Sequence, residues 1–404
     1  MKTRTIFISF VLVGALCLMV SGVWANNVRG VSDKEVKIAW LVDLSGPGRY
    51  ASPMLVAGAN QYAAWVNDQG GINGRKINVV VEDNGILPPT TIQAAKKVIF
   101  KDEIFAIGFN LGSSGSSAIV PLCEENQVVL MPHGANKKFY SPGNKWVFVP
   151  YPVQYSQACR VVEHILSKNP KSKIGMIYQD DGFGREGLEG ALAAARLMNT
   201  KLAATAPYRI GTIDLSPQMG VMKDANVDCI VLWTYLPQTA AVIKGKIKMG
   251  WDVPLIVSGT NNVPALFKLA GEHVDGLLMV SAYVPSHTNV PGIKKMKGIN
   301  QKYGNYEKEL GNPMYPDHMY LASVGYLMAV IEGLRNAGRN LNPDTFVKGI
   351  ENIKNFDMGG MCPNFTFGPK RHVSSFSSLI LKADAKKKQF VIADPLKEPK
   401  TPQN

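Results

Sequence analysis

From Val36 onward the chain alternates short, dense apolar runs with longer stretches whose apolar residues recur every three or four positions. "VKIAWLV" is the first short run. Leu55, Ala59, Tyr62, Ala63 and Val66 then share one helical face, "INVVVED" follows, and "TTIQAAKKVIF" returns to helical spacing. A strand covered on both sides reads as a continuous apolar run, and a helix lying on a sheet reads with a period of about 3.6, so the series predicts βαβα units and a parallel sheet. "IFAIGF", a helix around "SSAIVPLCEENQ" and "VVLM" extend it. Past the prolines of "WVFVPYPVQYS" the alternation restarts with a helix from about Ser156 and strands at "KIGMIY", "LAATA", "DCIVLW", "PLIVS" and "GLLMVSA". A further crossing, "SAYVPSHTNVPG", leads to helices of which "HMYLASVGYLMAVIEGLRNAG" is the clearest, and final strands are expected at "NFTF", "FSSLILKA" and "QFVIA".

This pattern predicts an α/β fold of two Rossmann-like lobes with parallel sheets, joined by a multi-crossing hinge with a cleft between them. The expected first lobe comprises residues 33–149 plus 285–358, the second 150–284 plus 359–395, and a tail covers 396–404. A length of 404 residues with 46% hydrophobic content supports two cores of this kind.

The first residues change the expected location. Lys2 and Arg4 precede an apolar run from Ile6 to Val20, and small residues lead to Val23-Trp24-Ala25, which is the layout of a secretory signal peptide at 1–25. The bulky Leu16 before Cys17 argues against a lipoprotein processing site, and no later run approaches the ~20 apolar residues that span a bilayer. The formal charge of +13 is scattered, with no basic stripe interleaved with aromatics and no helix-turn-helix pattern, so nucleic acid is not an expected partner. Cys123, Cys159, Cys229 and Cys362 remain beyond the leader; export permits disulfides, and four cysteines allow three connectivities between which the sequence does not choose. No C-x-x-C or H-E-x-x-H spacing occurs, so neither a metal nor a cofactor is expected.

Two stretches carry candidate chemistry. Gly182-Phe183-Gly184-Arg185-Glu186-Gly187 matches the G-x-G-x-x-G pattern of dinucleotide-binding turns, but Gln179, Asp180 and Asp181 stand between it and the strand, and two carboxylates repel phosphate. The following strand also ends without the acidic residue that would hold a ribose, so an oxidoreductase is not expected. "FNLGSSGSS" follows a strand and opens a helix, where backbone N–H groups and the Ser113 or Ser114 hydroxyl can converge on an anion such as a carboxylate; simple helix capping is the alternative. Its "GSSG" lacks the spacing of a G-x-S-x-G nucleophile elbow, and no enzymatic activity is expected.

The stretch "VKIAWLVDLSGPGRYASPMLVAGANQYAAWVNDQGGINGRKINVVVEDN" resembles the amino terminus of periplasmic solute-binding proteins of the branched-chain amino-acid type. "IGFNLGSSGSSAIVPLCEENQVVLMPHGAN" and "YQDDGFGREGLEGAL" resemble later parts of that family in the same order. The resemblance implies a monomeric periplasmic receptor that closes over one small-molecule solute and delivers it to the membrane permease of an ABC importer. A periplasmic sensor presenting the solute to a membrane signalling protein is the alternative. It further implies a carboxylate site completed by the backbone at Ala135 and by Asn136, which replaces the family's hydroxyl residue. It places Phe183, Tyr235 and Tyr50 near ligand-lining aromatics. Arg49 can pair with a carboxylate, and Tyr155 is expected to add apolar wall. Amino-acid-binding members carry an acid where this chain has Asn261, between Thr260 and Asn262. An ammonium enclosed without a carboxylate is penalised, so the departure points to a carboxylate without an α-amino group or to a neutral amide, unless Asp180 or Asp181 substitutes.

Overall fold

The computed structural model describes residues 28–134, 136–140, 143–261, 263–304 and 315–402. The expected signal peptide, Ala135, Asn262 and the last two residues of the expected tail lie outside the described residues.

The first sheet contains β1 (Glu35–Val42), β2 (Lys76–Asp83), β3 (Ala106–Leu111) and β4 (Val129–His133), in the order β2-β1-β3-β4 with every pairing parallel. β1 is buried without interruption from Ile38 to Val42, as a central strand covered on both faces must be. Its crossover helices are α1 (Ser52–Asp68), α2 (Pro88–Phe100) and α3 (Ser113–Glu125).

The second sheet holds β5 (Ile174–Gln179), β6 (Ala204–Tyr208), β7 (Cys229–Trp233), β8 (Leu255–Val257), β9 (Leu278–Ser281), β10 (Ser378–Asp384) and β11 (Gln389–Lys397), in the order β11-β10-β9-β8-β7-β5-β6. It is parallel from β6 to β9, whereas β10 and β11 are antiparallel additions at one edge. The helices α4 (Gln154–Lys168), α5 (Gly182–Leu197), α6 (Ser216–Asp224), α7 (Leu236–Lys248) and α8 (Pro264–Ala270) surround it. α9 (Pro291–Tyr303), α10 (His318–Ala337) and α11 (Pro343–Glu351) then follow, and α9 and α10 pack on α1 of the first lobe.

α10 starts where the Asp317 side chain accepts the Tyr320 N–H, and it is buried along most of its length. It reaches the first sheet through the Trp40 indole, which donates to Ser323 Oγ at 3.0 Å. A Cβ at Gly58 of α1 would lie 2.6 Å from the Tyr320 carbonyl, so the two helices meet backbone to backbone.

The chain passes between the sheets between β4 and α4, between β9 and α9, and between α11 and β10. These crossings run side by side: Val149 bonds His372 and Ser374, and Val284 bonds Met361. The His318 ring ties two of them, meeting the Tyr151 hydroxyl at 3.0 Å and Ser281 Oγ at 3.1 Å.

Two expectations need correction. "NFTF" forms no strand but a single bridge between Phe356 and Phe365, because the segment is spent on the crossing. β11 runs two residues past 395, and the chain beyond it is anchored: Glu163 accepts the Lys400 and Thr401 N–H groups and the Thr401 hydroxyl. All four cysteines of the described residues are buried thiols, that of Cys159 donating to the Gly190 carbonyl at 3.3 Å, and burial pushes the Cys123 and Cys229 thiols up to about 12. No helix among the described residues is long and apolar enough to cross a membrane.

Candidate functional site

The C-terminal ends of both parallel sheets face one cleft, the position at which open α/β sheets take ligands. On the first-lobe side, β1 ends in a loop clamped by Asp43, whose carboxylate accepts the Gly46 and Gly48 N–H groups at 2.5 and 2.6 Å. That clamp directs Tyr50 across the cleft, where its hydroxyl donates to the Thr260 carbonyl at 3.3 Å, and turns Arg49 out to solvent. Gly48, Tyr50 and Ala51 therefore line the cleft and Arg49 does not.

β3 ends at Leu111, and Gly112 opens α3 with φ +101, a left-handed conformation that suits glycine. Ser113 follows at the first turn, buried and lining the cleft. Gly134, after β4, has φ +103 and lies so close that a Cβ would sit 2.3 Å from Ser113 Oγ. Any side chain there would displace the serine. The first turn of α3 also offers N–H groups without intrahelical acceptors and the positive end of the helix dipole.

The second lobe contributes Gln154, Phe183, Tyr235 and Thr260. Phe183 and Tyr235 stack with centroids 5.2 Å apart and planes at 15°. Gln154 is oriented by Trp233, whose Nε1 donates to Gln154 Oε1 at 3.1 Å. The glycines around Phe183 serve packing: a Cβ at Gly184 would lie 1.9 Å from the Gln179 carbonyl, and one at Gly187 2.5 Å from Trp233 Nε1. The G-x-G-x-x-G match is thus a tight seat for α5 against its own sheet.

Contacts cross the cleft. Ser114 Oγ accepts the Gly182 N–H at 3.1 Å and lies 3.5 Å from Asp181 Oδ2, so this serine joins the lobes while Ser113 faces the cavity. The space between these walls, counted together with the solvent at its opening, is about 400 Å³. A wider groove of about 1000 Å³ under residues 398–402 lies by the hinge, away from the strand ends, and is open to solvent.

Several sequence-predicted residues are elsewhere. Asn136 is exposed, and its side chain caps the 3-10 turn Lys137–Phe139 by accepting the Lys138 N–H. Tyr155 packs under Lys137 and bonds Pro402, outside the cleft lining. Asn261 is wholly buried: its Nδ2 donates to the Thr234 carbonyl at 2.9 Å and its Oδ1 has no partner, while Thr260 takes the place at the cleft wall. His133, Gln154, Thr260 and Met319 line the cleft although the sequence reading assigned them no contact.

Charge is missing from this wall. Among the described residues lining the cleft there is no carboxylate, lysine or arginine. Asp180 pairs with Arg185 at 2.9 Å on the surface. Asp181 caps α5 through the Gly184 N–H; burial is the largest influence on its carboxyl and raises its pKa. Burial also raises the Tyr50 and Tyr235 hydroxyls and lowers His133 to about 4, so these groups are neutral at pH 7.

Two α/β lobes meeting over a small, uncharged, aromatic-walled cavity, tied by parallel crossings, define a hinged solute-binding protein. The chain belongs to the periplasmic binding protein family, whose sequence profile matches residues 35–388. It is 24% identical over 272 residues to the Leu/Ile/Val-binding protein of Escherichia coli K12, covering 66% of this chain and 74% of that protein. Among solved structures it is similar to the fatty acid ABC transporter substrate-binding protein from Thermomonospora curvata, at 24% identity and a TM-score of 0.80, covering 93% of this chain and 95% of that one. It is also similar to an ABC transporter solute-binding protein from Rhodopseudomonas palustris BisB5 in complex with 3,4-dihydroxybenzoic acid, at 18% identity and a TM-score of 0.77, covering 92% and 99%. The predicted two-lobed fold and the family resemblance both stand.

Proposed function

We propose that this protein is an exported receptor that closes over a small aromatic or aliphatic carboxylate lacking an α-amino group and delivers it to the permease of an ABC importer. The observation carrying the proposal is the uncharged wall: Thr260 occupies the second-lobe position, Asn261 is committed to Thr234, and both candidate aspartates are engaged elsewhere.

A carboxylate is served by Ser113 and the first turn of α3, since donors fixed at a helix N-terminus favour negative charge. The apolar remainder of the solute loses water against Phe183, Tyr235 and Met319, which drives closure. An α-ammonium in the same place would lose its hydration and meet only neutral acceptors. Relatives named for Leu, Ile and Val, and others named for fatty acid or crystallised with a dihydroxybenzoate, span both ligand classes, so the distinction rests on this cleft.

A thermal-shift screen of organic acids and amino acids tests the proposal. At least one acid without an amine should raise Tm. Stabilisation confined to amino acids, or chemical turnover of the stabilising compound by the pure protein, would overturn it.

A further inference from the structure

His133 is the last residue of β4 and lines the cleft, paired in register with Leu111, which lines it too. Its ring packs among aromatics, with centroids 4.6 Å from Tyr151, 5.4 Å from Phe109 and 5.6 Å from Tyr326. Its Nδ1 is buried and has no hydrogen-bond partner.

The other buried histidines of the described residues differ. His318 is held at both ring nitrogens by Tyr151 and Ser281, His372 Nδ1 meets the Val147 carbonyl at 2.9 Å, and His164 Nδ1 meets Asp394 at 2.9 Å. His133 alone among them combines an unpaired Nδ1 with a place in the cleft wall. An unmet buried polar group is costly, and a site built to bond a hydroxyl discriminates strongly against the analogue that lacks one.

We infer that His133 is a specificity residue whose imidazole hydrogen-bonds an uncharged hydroxyl on the solute, at a second polar position besides the carboxylate. This rests on the carboxylate being held at Ser113. A hydroxyl fits because it can donate to or accept from a neutral imidazole, whichever tautomer is present. A second carboxylate or an ammonium would add a charge with no counter-charge in this wall. The solute class is therefore a hydroxylated aromatic or aliphatic acid.

The test is calorimetric titration of the wild type, His133→Phe and His133→Asn. Phenylalanine keeps the ring and removes the nitrogens, whereas asparagine returns an amide near the Nδ1 position. The ligands are 3-phenylpropionate with its ortho-, meta- and para-hydroxy derivatives, and phenylalanine with the matching tyrosines. In the wild type at least one hydroxylated member should bind about tenfold or more tighter than its parent. The preference should disappear in His133→Phe and return in part in His133→Asn, with circular dichroism confirming that each variant is folded. If His133→Phe fails to fold, loss or retention of the preference in His133→Asn relative to a His133→Leu variant decides the same question. No hydroxyl preference in the wild type, survival of the preference without the imidazole, or equal weakening of both members of each pair would overturn the inference. Binding confined to the amino-acid series would refute the amine-free reading, and the tyrosine and phenylalanine pairs would still report on His133.

Discussion

Replacing Glu186 by glutamine should stabilise the protein at neutral pH and flatten its pH dependence. Glu186 is buried in α5; its Oε1 accepts the Tyr140 hydroxyl at 2.5 Å and its Oε2 has no partner. Burial is the largest influence and raises its pKa from 4.5 to about 8, opposed by the Tyr140 hydroxyl and the Tyr155 backbone, with Glu189 raising it and Lys137 lowering it. The folded protein thus holds a proton that the unfolded chain has released. Stability is greatest below the unfolded value and is lost as pH rises toward the folded one, at up to about 1.4 kcal/mol per pH unit. Between the two states at pH 7 this amounts to roughly 3 kcal/mol as an upper figure. Glutamine retains an acceptor for Tyr140 and has no charge to bury. The assay is urea denaturation of both proteins from pH 5 to 8. Every other ionisable group is common to both proteins, so the difference isolates Glu186; it should grow with pH and reach about 1 to 3 kcal/mol by pH 7.5. Parallel profiles, or a glutamine variant less stable at every pH, would refute the reasoning.

Ser113→Ala should weaken solute binding by about 1.5 to 3 kcal/mol while leaving the urea midpoint nearly unchanged, because the cleft-facing hydroxyl makes a charge-assisted bond only when the solute is present. A loss of stability with intrinsic affinity retained would assign it to capping instead. Gly134→Ala should reduce both affinity and stability, since its φ of +103 and the 2.3 Å approach to Ser113 Oγ leave no place for a Cβ; wild-type affinity would contradict this. The four buried thiols should resist a thiol reagent in the native state and react once denatured, and rapid native labelling would contradict their burial.

The lobes were legible because the central strands are dense apolar runs and most of the helices that cover them are amphipathic, a signal that survives without knowledge of contacts. The crossings were harder to assign: "NFTF" has strand composition, yet its backbone is used between Phe356 and Phe365 in a connecting segment. In the site, residues set on strand ends or helix starts were readable, as with Ser113, Phe183 and Tyr235. Loop residues were not, because a turn decides which neighbour points inward. Asp43 bonding Gly46 and Gly48 sends Tyr50 into the cleft and Arg49 out, and the 3-10 turn after Gly134 carries Asn136 to the surface. His133 belongs to the "HGAN" segment the sequence had singled out, but its side chain reaches the wall through strand pairing with Leu111, which no local motif encodes.

The central claim, closure over a carboxylate without an α-amine, is tested most directly by calorimetric titration of phenylalanine against 3-phenylpropionate, and of leucine against 4-methylpentanoate. With the cleft wall uncharged among the described residues, the deaminated member of at least one pair should bind tighter. Micromolar or tighter binding of an amino acid, with none of its deaminated partner, would contradict the account and point to Asp181 or the Asn261 carbonyl oxygen as the group that receives an ammonium.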